Sequence, residues 1–336
     1  MNLTKKKYLV VLAGSPRGGE RAWESLYKYV IDHLDADLAI CIGDKFYKKN
    51  SLVTKSTYKW IFKEPDNWSK YFSERFSNTW KEYLLLGQEF GMAGGLDNFS
   101  GSGAIVSGLK NIIHENYLSV LKNYEYIIYS RFDQMYTDYH PKLTGKNIWI
   151  PEGEDYFGIC DRHSIFSSEY ADKFFQICEY FDSDDGFNNA PEHVTPESVF
   201  LNHLQSINLG DKIIRIKRFQ FTVSEENDAT RWRVAKYKIH LYSGLKMKYP
   251  DEFIASISNF LKEYGVLKSI FLQPRMLINF MYLKLRRVLG QIIPNKMKKH
   301  LLLLFAVVAV SLAACEKDDH DDHDDHDDHD HIAMVN

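Results

Sequence analysis

YLVVLAGSPRGG, residues 8–19, is a short apolar run that passes directly into a glycine-rich loop. A continuous apolar run of this kind, bounded by turn residues, is typical of a buried strand in a parallel sheet. In residues 21–34 the apolar side chains recur at steps of three and four, which predicts one buried stripe of a helix. Residues 37–42 (DLAICI) then predict a second buried strand. The order of strand, loop, helix and strand is that of an α/β unit.

The same alternation continues farther along the chain. Residues 104–121 predict a helix, and residues 124–130 (YEYIIYS) and 148–151 predict strands. Residues 47–99 are rich in aromatic side chains at helical spacing, which we interpret as core in preference to a sugar-stacking platform. We therefore expect an α/β sheet with helices on both faces.

The composition restricts the class of protein. The chain has 336 residues, of which 45% are hydrophobic and 26% are charged, as in ordinary globular proteins. Wholesale disorder, collagen and a polytopic membrane protein are thereby excluded. The cysteines form no C-x-x-C pair, so the sequence predicts neither a disulfide scaffold nor a zinc ribbon, and the main body is expected to be cytosolic. They are Cys41, Cys160, Cys178 and Cys315.

The charge is distributed unevenly. Residues 316–330 carry ten acidic side chains against Lys317, a balance of −9, which leaves +6 on the remainder of a chain whose net charge is −3. A weakly basic body suits anionic ligands such as nucleotide diphosphates, or a membrane surface. The excess is too small to indicate a nucleic-acid partner.

The glycine-rich loop after the first strand, residues 14–19 (GSPRGG), is the first candidate binding site. It offers an anion the backbone N–H groups of a helix N-terminus and the side chain of Arg17. It is neither a dinucleotide fingerprint nor a Walker loop, because Glu20 stands where the lysine would be. Two interpretations remain, an anion-binding loop and a purely structural turn.

The second candidate site follows the strand at residues 124–130, where the chain reads Arg131-Phe132-Asp133. A carboxylate at the end of a buried strand can hold a divalent cation that bridges two phosphates. Only one acid is present, where an Asp-x-Asp pair would be a stronger signal. Arg131 either adds positive charge to the site or simply pairs with Asp133. Asp138, a turn away, is either a second ligand or a surface acid.

Two further segments carry candidate catalytic residues. Residues 156–162 (YFGICDR) place Asp161 and Arg162 after an apolar run. Thr195 is a plausible helix cap, with Glu197 in the first turn of the helix. Glu197 is either presented to a cleft as a general base or merely offsets the helix dipole.

Five segments in this order, GSPRGGERAWESL, GSGAIVSGLKNII, YEYIIYSRFD, FGICDRHSIFSSEYADKF and TPESVFLNHL, carry a resemblance to a known family. They resemble bacterial polysaccharide glycosyltransferases of the lipopolysaccharide and capsule synthesis type, including the WavE-like group. The resemblance covers about residues 7–232. It implies a GT-A-like, Rossmann-like mixed sheet flanked by helices, with a helical C-terminal extension.

The resemblance also implies a reaction, in which an acceptor hydroxyl attacks the anomeric carbon of a nucleotide-activated sugar. The implied partners are a nucleotide-diphospho-sugar donor and a saccharide or lipid-linked saccharide acceptor. Asp133 is the implied metal position, for Mn²⁺ or Mg²⁺, although the missing Asp-x-Asp pair leaves metal dependence open. The implied catalytic residues are Glu197, as base, and Asp161; those implied to bind the nucleotide-sugar are Gly14, Arg17, Arg21, Arg131, Asp133 and Arg162.

The C-terminal part differs from the rest. Basic and apolar residues interleave in residues 236–296, which predicts helices that either rest on an anionic membrane surface or pack across the main domain. Residues 297–315 resemble the start of a bacterial lipoprotein, with a charged region, an apolar run and a lipobox cysteine. A fusion or gene-boundary accident is one explanation and a tail anchor is the other.

Residues 316–336 repeat Asp-Asp-His and are expected to be solvated and disordered. Imidazole and carboxylate groups suit zinc, nickel or copper, but a repeat without fixed geometry offers only loose chelation. The candidate ligands are His320, His323, His326 and His329.

These patterns divide the chain into a catalytic domain (residues 1–235), a basic helical extension (236–296), the lipoprotein-like segment (297–315) and the acidic tail (316–336). The expected location is the cytoplasmic face of a bacterial inner membrane, either peripheral or tail-anchored. The alternative function is that of a non-catalytic, membrane-tethered, metal-binding lipoprotein-like protein. A degenerate transferase that binds donor without turnover is a third.

Overall fold

The computed structural model describes residues 6–225, 239–240 and 245–292. Its architecture is α/β, as the sequence predicted. The chain divides into two compact units, Met1–Ser269 and Ile270–Asn336. This division differs from the sequence-based boundary after residue 235, because residues 245–269 belong to the first unit.

Two sheets organise the first unit. The strands are β1 (Lys6–Ala13), β2 (Asp37–Gly43), β3 (Tyr58–Phe62), β4 (Tyr124–Ser130), β5 (Gln134–Tyr136), β6 (Ile148–Pro151), β7 (His163–Ser167), β8 (Ile213–Ile216), β9 (Gln220–Ser224), β10 (Ile239–His240) and β11 (Lys246–Met247). The larger sheet has the order β3-β2-β1-β4-β7-β6-β8 and is mixed, since β7 is antiparallel to β4 and β6. The smaller sheet has the order β10-β11-β9-β5.

Helices flank the larger sheet, which is consistent with a Rossmann-like fold. They are α1 (Gly19–Leu26), α2 (Asp32–Leu34), α3 (Ser51–Lys55), α4 (Trp68–Ser73), α5 (Trp80–Leu86), α6 (Ser102–Leu121), α7 (Ala171–Phe175), α8 (Ile177–Phe181), α9 (Asp184–Asn188), α10 (Pro196–Ser206), α11 (Pro250–Leu272) and α12 (Pro274–Ile292). A π-helical turn, Tyr27–Ile31, joins α1 to α2, so the helix predicted over residues 21–34 is present. Gly265 interrupts α11 with φ 73°.

Most aromatic side chains of residues 47–99 form core, as predicted, although Tyr47 is exposed. Trp68, Phe72, Trp80 and Tyr83 are buried, and Trp60 is buried as well. The helical spacing noted in the sequence does not correspond to a helix around Trp60, because this residue lies on β3. Strand β3 has a single buried side chain and therefore lacks the continuous apolar run by which β1 and β4 were predicted.

The carboxyl ends of β1 and β4 meet at one edge of the larger sheet. The two strands are parallel neighbours, with Leu12 paired to Ser130. The loop that follows β1 and the loop that follows β4 therefore leave the sheet side by side. In open α/β sheets this edge is where ligands bind.

The second unit contains the end of α11 and all of α12. Within the described ranges, no helix is both long enough and apolar enough to cross a membrane. The lipoprotein-like segment, residues 297–315, and the acidic tail with His320, His323, His326 and His329 lie outside the described residues.

Candidate anion-binding site

Glycines bring the loops after β1 and β4 into direct contact. Gly18 has φ 97°, and a Cβ atom placed on it would lie 3.0 Å from Cα of Asp133 and 3.2 Å from the carbonyl oxygen of Phe132. Only glycine fits this close approach without strain. As a result Arg17 lies beside Asp133, with its Nη2 atom 3.6 Å from Oδ2 of the carboxylate.

Asp133 is the buried centre of a group of positive charges. Its side chain is bonded by Arg131, whose Nε donates to Oδ1 at 2.9 Å and whose Nη2 donates to Oδ2. Burial would raise the pKa of Asp133, but Arg131 and Arg17 act in the opposite direction, and the pKa lies below its ordinary value. Asp133 is therefore ionised and orients two guanidinium groups.

Lys248 joins the same group from a distant part of the sequence. Strand β9 lies between β5 and β11, and its backbone bonds to both flanks of the site. The N–H of Lys248 donates to the carbonyl oxygen of Thr222 at 3.0 Å, and the N–H of Val223 donates to that of Asp133 at 2.9 Å. The small sheet thus carries Lys248 to the end of β4.

The pKa of Lys248 reflects this crowding of cations. Burial lowers it first, the positive charges of Arg131 and Arg162 lower it further, and the pKa falls to about 7 although Asp133 opposes the shift. We call Arg17, Arg131, Arg162 and Lys248 the cation cluster. Because these positive charges lie close together, and Arg17 and Arg131 both approach the single carboxylate of Asp133, a bound anion would reduce the repulsion among them.

The residues around Asp133 do not fit a divalent cation. Both oxygens of its carboxylate already accept bonds from Arg131, and Arg17 and Lys248 add repulsion to any metal ion. Mg²⁺ and Mn²⁺ prefer oxygen ligands that are open to coordination. In the part of the chain that the structure describes, no three His, Cys, Asp or Glu side chains are grouped as a metal site would require.

Arg162 links the cation cluster to α10 and α11. Its Nη1 donates to Oε1 of Glu197 at 3.1 Å, and its Nη2 donates to Oε1 of Glu252 at 3.2 Å. Glu252 also accepts bonds from Nη1 of Arg218 at 3.0 Å and from the N–H of Thr222 at 2.8 Å. This fully buried network fixes the first turn of α11 against β9.

Glu197 lies at the start of α10, where Thr195 caps the helix and its Oγ1 accepts a bond from the N–H of Ser198 at 3.0 Å. Its carboxyl group is nevertheless buried. Burial and the nearby Asp161 raise the pKa of Glu197 to about 8, against the effect of Arg162. The ionised form of Glu197 is therefore a stronger base than an ordinary glutamate.

A strained loop with exposed aromatic rings borders Glu197. Tyr156 and Phe157 have φ of 36° and 71°, values that bulky residues rarely adopt. The ring of Phe157 is 66% exposed and lies 4.1 Å from that of His193. The carbonyl oxygen of Tyr156 accepts a bond from Oγ1 of Thr195 at 2.7 Å, which ties this loop to α10. Backbone strain of this kind concentrates at functional sites.

Most of the site residues predicted from the sequence come together here. Gly14 shapes the loop through its backbone, with φ 118° and an N–H that donates to the carbonyl oxygen of Cys41 at 3.1 Å. Arg21 is exposed on α1, and no contact within the described residues joins it to the cation cluster. Asp138 lines a separate cavity. The residues that do come together are Arg17, Arg131, Asp133, Asp161, Arg162 and Glu197.

No protein-family model matches the chain, and no curated protein sequence is significantly similar to it. The case for a function therefore rests on the chemistry of these residues.

Proposed function

We propose that the protein is a glycosyltransferase that takes a sugar from a nucleotide-diphospho-sugar and adds it to a saccharide acceptor of lipopolysaccharide or capsule. The observation that carries the proposal is the cation cluster at the carboxyl ends of β1 and β4. Side chains of Arg17 and Arg131 remain partly open to solvent, so a ligand can reach them. A GT-A-like fold is part of this proposal.

The cation cluster supplies what the leaving group needs. As the bond between the anomeric carbon and the phosphate oxygen breaks, negative charge develops on the departing diphosphate. Arg17, Arg131 and Lys248 stabilise that charge, and Asp133 keeps the guanidinium groups oriented before the reaction begins. In this proposal these residues stabilise the charge of the departing diphosphate without a divalent cation.

The carboxyl groups of Glu197 and Asp161 are proposed to act together in deprotonating the acceptor hydroxyl. A new bond forms between the acceptor oxygen and the anomeric carbon, and the hydroxyl proton passes to a carboxylate. Glu197 takes it in its ionised form, while Asp161 raises the basicity of Glu197. The exposed rings of Tyr156 and Phe157 offer stacking surfaces for the sugar or the base of the donor.

Turnover tests this assignment. With a panel of nucleotide-sugars and release of nucleoside diphosphate as readout, we expect kcat to rise with pH until Glu197 is ionised, near pH 8. Replacement Glu197→Gln should lower kcat by about 10²-fold or more, as loss of a general base does. Glu192→Gln, an exposed site nearby, is the matched control. Near wild-type turnover in Glu197→Gln would remove this residue from the mechanism.

We further propose that the protein works on the cytoplasmic face of the bacterial inner membrane. In the first unit Val266 is 64% exposed and Leu267 is 77% exposed, and Lys262 and Lys268 are exposed beside them in sequence. Apolar and basic side chains of this kind suit an anionic lipid surface. Sedimentation with phosphatidylglycerol vesicles should be lost in Leu267→Asp, and binding that survives the change would contradict the proposal.

A further inference from the structure

A cavity of about 420 Å³ lies between residues 138–141, residues 216–219 and helix α11. Small-molecule sites are commonly about 300 to 1,000 Å³. Arg218 borders the cavity, but its guanidinium is bonded elsewhere, to the carbonyl oxygens of residues 152–153 and to Glu252. The cavity is therefore distinct from the anion-binding site.

The wall of the cavity presents hydrogen-bonding groups that are held in place. Oδ1 of Asp138 accepts bonds from the hydroxyl of Tyr264 and from the N–H of Tyr139, both at 2.8 Å. No group among the described residues donates to its Oδ2. Nδ2 of Asn259 donates to the carbonyl oxygen of Arg218 at 3.1 Å, which orients its Oδ1 as a further acceptor.

Aromatic rings and one ion pair complete the lining. Tyr139 is 48% exposed, and its ring is supported by that of His33 at 4.8 Å. Phe260, on α11, also lines the cavity. Glu263 and Lys217 approach within 3.9 Å, so much of the charge at the rim is compensated. The cavity thus combines an aromatic face with both hydrogen-bond acceptors and a donor.

We propose that this cavity binds a sugar ring, which stacks on Tyr139 and directs its hydroxyl groups to Asp138 and Asn259. A hydroxyl group both donates and accepts, so it can satisfy the carboxylate, the amide oxygen and the ammonium group of Lys217. A strongly charged ligand is a poorer match, because the charge of Glu263 is already paired with Lys217 and Oδ1 of Asp138 already accepts two hydrogen bonds.

Helix α11 connects this cavity to the anion-binding site. Glu252 in its first turn bonds to Arg162, and Ser256, Asn259 and Glu263 face the cavity farther along. At 1.5 Å per residue, Glu252 and Glu263 are about 17 Å apart along the helix. The inference rests on the proposed function and deepens it: the sugar in the cavity belongs to an acceptor chain several units from the reacting end.

Binding of oligosaccharides to the full chain tests the inference. The probes are neutral pentasaccharides of glucose and of N-acetylglucosamine, followed by saturation-transfer NMR and calorimetry. Variants Asp138→Asn and Tyr139→Ala should each weaken binding by about tenfold or more, or about 1.4 kcal/mol. Tyr47→Ala, which removes an exposed ring outside the cavity, should leave it unchanged. Asp138→Asn keeps the size of the side chain, so it guards against a loss caused by misfolding.

The outcomes separate the two proposals. The inference is overturned if the wild type binds neither probe. It is also overturned if both variants bind the probes as tightly as the wild type does. Loss of saccharide binding in the variants with an unchanged affinity for nucleotide-sugar supports the inference and the proposed function together. Saccharide binding that depends on Asp138 in a protein that binds no nucleotide-sugar supports the cavity and contradicts the proposed function.

Discussion

Lys248 belongs to the candidate site although no local sequence motif indicates it. Its ammonium group lies among Arg17, Arg131 and Arg162, and their repulsion adds to burial in lowering its pKa to about 7. Part of Lys248 is therefore the neutral amine near pH 7, and this amine gains a proton when an anion binds beside it. Binding at the site is therefore expected to depend on pH.

The expected pH dependence has a definite sign. A bound diphosphate favours the charged form of Lys248, so its pKa is higher in the complex than in the free protein, and binding takes up a proton. The affinity for nucleoside diphosphate should fall as the pH rises above about 7. In Lys248→Arg the charge persists at all these pH values and the fall should disappear. Calorimetric titrations from about pH 6 to about pH 9 measure it, because this range spans the transition. A parallel decline in both proteins would contradict the assignment.

The sequence could predict Arg17, Arg131 and Asp133 as neighbours because each follows a strand with a continuous apolar run. It could not predict Lys248, which follows β11, a strand of two residues with no periodic pattern. The part that Glu252 plays was missed for another reason. A buried acid in the first turn of a helix looks, from the sequence, like an ordinary partner of the helix dipole.

At the scale of elements, Glu252 holds α11 to the rest of the first unit through Arg162, Arg218 and the backbone of β9. Glu252→Ala leaves two buried guanidinium groups without their shared carboxylate, which should lower the free energy of unfolding by about 3–5 kcal/mol. Glu252→Gln retains an acceptor oxygen and should cost less. Urea unfolding of the full chain measures both changes, and equal stability of Glu252→Ala and wild type would show that the network contributes nothing.

The loops depend on Gly18 in a different way. Gly18 and Gly145 have φ of 97° and 94°, but a Cβ atom on Gly18 would press on the backbone of Asp133, whereas on Gly145 it would meet only Nδ2 of Asn147 at 3.5 Å. Gly145→Ala should lower the free energy of unfolding by about 1–2 kcal/mol, because of its backbone conformation alone. Gly18→Ala should lower the free energy of unfolding by more than this, because of the additional contact with the backbone of Asp133. It should also weaken nucleotide binding, because Arg17 would move away from Asp133. Equal effects of the two substitutions on stability and binding would contradict this account of the loop.

Among the elements, the continuous apolar strands and the long helix α6 could be predicted from the sequence nearly to the residue. Strand β7 (HSIFS) could not, because polar side chains occupy three of its positions although all five residues are buried. Of these polar groups, His163 bonds inside the sheet, with its Nδ1 atom 3.1 Å from Oγ of Ser130, whereas Oγ of Ser164 has no hydrogen-bond partner among the described residues. Pairing with β4 and β6 in the middle of the sheet thus makes this segment a strand without the apolar pattern on which strand prediction depends.

At the scale of the whole molecule, the candidate site draws on segments that span nearly the entire first unit, from Arg17 to Glu252. The sequence predicted a catalytic domain that ended at residue 235, because the basic helical pattern beyond it resembled a separate extension. In the structure, β11 and the first turns of α11 complete the site. A site assembled from such distant segments is expected to lose ligand binding and stability together when the first unit unfolds.

Calorimetric titration of the full chain with nucleotide-sugars, in the presence of a chelator and again with manganese, tests the central claim most directly. The account predicts that a donor binds in chelator, that manganese changes the affinity little, and that Arg17→Gln weakens binding by about tenfold or more, or about 1.4 kcal/mol. Arg21→Gln, at an exposed position on α1 just after the loop that carries Arg17, should bind as the wild type does. Binding that requires manganese, or that is equally strong in Arg17→Gln, would contradict a metal-independent anion site built by the cation cluster.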